Sequence, residues 1–208
     1  MKTNKIIDCL IDDIDKILEK KIKEIAETTK YKYFGLCEFV EKSVEGAPPK
    51  IYPVKNIKGE GKPAIIDDTL VYQTYHITNG TFEIDENEDL EEGFKMAFDC
   101  KIPMKMIGIG KRKFLEKAFS NEDFGLYFAK IFPKQVFTDN PDVCQAKISK
   151  ISVFTDKDKI LSQQFVGTPH ENFILDYFVF EIKYRLSFSF YTDESSNIEE
   201  GQSSLCNL

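Results

Sequence analysis

The chain has 208 residues, with 28 Lys or Arg against 35 Asp or Glu, and a formal net charge of −7. Duplex binding needs an excess of cations, so non-specific nucleic-acid binding is excluded as the main role, although an acidic wall past which DNA slides without sticking stays open. Hydrophobic residues make up 42%, with 18 Phe and no Trp, which suits a packed core better than a base- or sugar-stacking surface.

Residues 4–29 read as the longest helix. Ile7, Ile11, Ile14, Leu18, Ile22 and Ile25 recur at helical spacing, and Asp12, Asp13, Asp15, Lys16 and Glu19 are assigned to the outer face. Residues 31–40 are aromatic and strand-like. Residues 41–68 contain Gly46, Pro48, Pro49, Pro53, Gly59, Gly61 and Pro63, so they are predicted to form an extended loop or arm. Leu70 to Thr78 is a strand candidate, and Asn79-Gly80 is a two-residue hairpin signal returning through Thr81 to Ile84. Asp85 to Glu92 reads as a solvated acidic loop.

Two later stretches alternate strictly. Phe94, Met96, Phe98, Cys100, Ile102, Met104 and Met106 face one side of a strand, and the even positions from Phe178 to Phe190 do the same. Pro103 on the wet side of the first strand predicts an edge or a bulge there. Between them, Ser120 is an N-cap candidate with Asp123 three residues on, opening a short helix that stops before Pro133. Residues 145–154 read as a further strand. The tail 192–208 is polar and acidic, without an apolar period. The predicted fold is a single α+β domain over 1–191. Its antiparallel sheet has two long strands and is covered on its apolar face by helix 4–29 and the helix at 121–132, with the arm at 41–68 and the tail as extensions.

Candidate chemistry fails on spacing. Asp85, Asn87 and Asp89 open like a calcium loop, but Leu90 stands where Gly is required and Met96 where Glu is required. Gly61-Lys62 is followed by Pro63 rather than Ser or Thr, and Gly108 and Gly110 lack a third Gly at Lys113; turn glycines explain them better. His76 and His170 have no second ligand at zinc spacing, and His76 on a strand suits a hydrogen-bonded structural role. Cys9, Cys37, Cys100, Cys144 and Cys206 are odd in number and dispersed, so reduced thiols are expected. No apolar run is long enough for a membrane span. The basic triplet Lys111, Arg112 and Lys113 fits a solvated strand end or an inter-subunit salt bridge better than a phosphate site. No cofactor, metal or enzymatic activity is expected.

The run Tyr75-His76 with Asn79-Gly80, IPMKMIGIGKRK (102–113), IFPKQV (131–136), AKISKISVFTDKDKI (146–160), QQFVGT (163–168) and LDYFVFEIKYRLSF (175–188) resembles a family of neck and tail-ring proteins of crAss-like phages, over about residues 70–190. The N-terminal helix is similar to that of tail-terminator-like proteins. The cysteine-rich ending of that family is absent. The resemblance implies a non-enzymatic virion protein, assembled in the host cytoplasm. It would form a homo-oligomeric ring of roughly twelve copies, or six, by head-to-tail contacts. Such a ring extends the DNA channel and docks adjacent portal, neck or tail proteins. Its docking residues would be Ile51, Tyr52 and Val54 in the arm, Lys111, Arg112 and Lys113 at the strand end, and Ile198 and Leu205 in the tail. A small-ligand-binding or enzymatic α+β domain, and a host-encoded interaction module, are the alternatives.

Overall fold

A computed structural model describes residues 2–26, 31–45, 47–57, 60–63, 70–87, 96–138, 143–165 and 176–192. In chain order, α1 (Lys2–Ala26) is followed by β1 (Tyr31–Leu36), β2 (Glu38–Val44), β3 (Ala47–Ile57), β4 (Glu60–Pro63), β5 (Tyr72–Thr78) and β6 (Glu83–Asn87). Then come β7 (Met96–Lys111), α2 (Arg112–Leu115), α3 (Asn121–Ile131), β8 (Gln135–Val136), β9 (Val143–Phe154), α4 (Lys157–Gln164) and β10 (Tyr177–Thr192). The fold is α+β, with a mostly antiparallel large sheet and a separate small one.

The large sheet is ordered β1-β5-β7-β10-β9-β8. Its axis is the β7–β10 ladder, which runs unbroken from Tyr177↔Lys111 to Thr192↔Met96. Even-numbered residues of both strands, from Cys100 to Met106 and from Phe178 to Phe190, are buried. They pack against the α1 stripe of Ile7, Leu10, Ile11, Ile14, Leu18 and Ile22. Beside α1 lies α3. Ser120 Oγ accepts from the Asp123 N–H and the Asp123 carboxylate receives the Ser120 N–H, closing a capping box. Phe128 of α3 stacks between Tyr72 and Phe180, with ring centres 4.8 and 4.9 Å away.

Gly108 and Gly110 are not turn residues. They lie inside β7 under this aromatic layer, and a Cβ on Gly108 would stand 2.2 Å from Phe180 Cζ. The missing side chains leave room for the Phe180 ring at Gly108 and the Phe124 ring at Gly110.

The opposite face is not wholly wet, contrary to the alternation. At one end Ile107, Ile109, Tyr177 and Val179 join Tyr75, Ile77 and Phe34 in a second core, closed by Ile160, Leu161 and Phe165 of α4 and its C-terminal edge. These are odd positions on the long strands, so the polar run of Lys183, Arg185 and Ser187 covers only the remaining length. The helix α4, capped by Asp156 Oδ1 receiving the Lys159 N–H, is an element the sequence pattern had not shown.

Three further expectations change. Asn79-Gly80 does not join a hairpin, because β5 and β6 both pair with β7, at Met104–Gly110 and Ala97–Lys101. The chain breaks between them opposite Pro103, whose carbonyl accepts the Asn79 N–H at 2.8 Å and whose nitrogen has no proton to offer that edge. Gly80 makes the detour at φ +133. Asp85 and Asn87 belong to β6 rather than to a loop, and Lys101 bridges to Asp85 at 3.2 Å; Asp89 and Leu90 lie outside the described residues.

The segment 41–68 is not an irregular arm. Most of it folds as the small antiparallel sheet β2-β3-β4, with Glu38↔Val54 through Val44↔Ala47 on one side of β3 and Val54↔Pro63 through Ile57↔Glu60 on the other. Pro53 lies inside β3, paired with Phe39 of β2. The thiol expectation also changes in part: Cys37 and Cys100 are free, but Cys9 is disulfide-bonded, a pairing that spacing does not reveal.

Two substitutions test the layer assignment. Ile182 is fully buried, so Ile182→Asp should cost several kcal/mol, while Lys183→Gln on the exposed side, which gives up only an ion pair of 3.6 Å to Glu181, should cost about 1 kcal/mol or less in urea denaturation. Gly108→Ala should cost about 1–3 kcal/mol by overpacking, and the companion change Phe180→Leu should return part of that loss.

Candidate functional site

Among the described residues, the buried polar side chains between α1 and the sheet gather at one place, while Gln73 and Glu181 are buried on the opposite face. Asp15, expected outside, is 3% exposed. It stands four residues after Ile11 and three before Leu18, on the stripe itself. Its Oδ1 accepts from Thr74 Oγ1 at 3.1 Å and lies 3.0 Å from His76 Nε2. The other ring nitrogen, Nδ1, lies 2.9 Å from the Tyr184 hydroxyl. With Nε2 donating to Asp15 and Nδ1 accepting from the Tyr184 hydroxyl, one tautomer pairs both ring nitrogens. Burial pushes the Tyr184 and Tyr72 phenols well above their ordinary range. Among the described residues, Asp15 Oδ2 and the hydroxyls of Tyr33 and Tyr72 have no partner within hydrogen-bond distance.

An Asp–His–Tyr chain has the composition of a general-base relay. Here His76 is 0% exposed, and a substrate proton reaches it only if α1 lifts from the sheet. Its geometry is that of a polar pin holding α1 to β5 and β10, in keeping with the structural role expected for His76.

The open cleft lies next to this pin, where α1 meets the small sheet. It encloses about 590 Å³ between Asp8 and Asp12 of α1, Cys37 and Glu38 at the β1–β2 junction, Lys55 of β3, and Phe82. Just before the junction Gly35 of β1 sits at φ +66, where a side chain would be strained. Beyond it the Cys37 N–H donates to the His76 carbonyl at 2.7 Å. The Asp8 and Asp12 carboxyls are raised above the ordinary range, first by desolvation, with the Lys55 cation opposing. Burial pushes the Cys37 thiol up to about 12, so it stays protonated and is no nucleophile at neutral pH.

The expected docking residues that are described lie on two separate elements, β3 and the β7–α2 junction. Ile51 and Tyr52 lie on β3 facing Glu41 and Val40 of β2. Val54 is 8% exposed, so its side chain is already covered within the chain and is not an anchor left for a neighbour. Lys111 ends β7, where its N–H donates to the Val71 carbonyl. Arg112 and Lys113 are exposed on α2, with Arg112 Nε 3.7 Å from Glu116 and Lys113 Nζ over the Phe114 ring. Ile198, Leu205 and His170 lie outside the described residues. Among the described residues no His, Cys, Asp or Glu cluster of three or more is placed to hold a metal ion, and no helix is long and apolar enough to cross a membrane.

The chain matches no protein-family model and no curated protein sequence.

The pin predicts a coupled loss. Asp15→Ala strands His76 Nε2–H and Thr74 Oγ1 and should cost about 1–3 kcal/mol per stranded group. His76→Phe removes a partner from both Asp15 and Tyr184. A double-mutant cycle between Asp15→Ala and His76→Phe should therefore be strongly non-additive in urea denaturation; additive losses would show that the contact carries no energy.

Proposed function

We propose that the chain is a structural virion protein that forms a ring in the neck or tail of a phage. Such a ring continues the DNA channel and docks the adjoining portal, neck or tail layers. The sequence resemblance over about residues 70–190 supplies the class. The observation that carries it furthest is the small sheet β2-β3-β4. A Pro- and Gly-rich segment has been folded into a second hydrogen-bonded body outside the large sheet, which gives each copy a surface to present to a neighbour while its own core stays closed. The net charge of −7 suits a channel wall that repels DNA rather than holding it. The same reading makes the protein non-enzymatic and places it in the virion after assembly in the host cytoplasm.

Closed rings need heterologous contacts, in which two different patches of each copy meet. A ring of roughly twelve copies, or six, is the expected assembly. A second reading, a small-ligand-binding domain, draws on the cleft of about 590 Å³ beside Asp8 and Asp12. Electron microscopy of assembled neck complexes, with mass photometry of the purified chain, separates the two. A closed ring of this protein supports the proposal. A persistent monomer or simple dimer within the virion would contradict it.

A further inference from the structure

We draw no further inference here: the strongest candidate, the cleft of about 590 Å³ between α1 and the small sheet, lined by Asp8, Asp12 and Glu38 against Lys55, rests on a cluster of acidic side chains, and among the described residues no second observation points to a ligand there.

Discussion

The β7–β10 ladder is the constraint on which the rest of the structure depends. Two strands of 16 residues each are paired along their whole length, and the helices and the strands next to them are placed by which face, edge or end of that ladder they cover. The even face takes α1 and α3. One end of the odd face takes α4. β5 and β6 share the outer edge of β7, and β9 takes the outer edge of β10. A strand register is fixed when one face is buried, because a one-residue slip exchanges the two faces. Here the penalty is doubled at the end where both faces are buried, since the slip would also expose Ile107, Ile109, Tyr177 and Val179.

The apolar packing alone does not set the rotation and height of α1 on this ladder. A helix stripe of Ile and Leu can slide against Phe, Met and Ile at little cost. Asp15, His76, Thr74 and Tyr184 remove that freedom, because their hydrogen bonds form in one placement only and stranding them in the core is expensive. The pin joins three elements that are remote in sequence. It stands beside the cleft where the small sheet departs, so the same helix that closes the core also fixes the root of β2-β3-β4.

Much of this was legible in the residues, and what was not has physical causes. The alternation of the long strands, the α1 stripe and the Ser120–Asp123 cap are local patterns of period and spacing. Asp15 was assigned outward because it is charged, although its position relative to Ile11 and Leu18 puts it on the buried stripe; only the partner on β5 explains the exception. The proline-rich segment was read as irregular because Pro removes ladder donors. Pro53 nevertheless sits in β3 beside Phe39 of β2, a fact of pairing rather than of sequence. Asn79-Gly80 carries the chemistry of a hairpin, yet the edge it sits on is decided by β7, where Pro103 interrupts the donors. The acidic cleft is assembled from distant segments, and no window of sequence contains it.

Native-state hydrogen exchange, resolved by residue, tests the central claim that the ladder is the last part of the chain to open. Amides of Ile182, Tyr184 and Leu186 on β10 and of Met104 and Met106 on β7 should exchange only through global unfolding. Amides of β2, β3 and β4 should exchange through a smaller opening that leaves the ladder intact. Ladder amides that exchange as fast as those of the small sheet would contradict it.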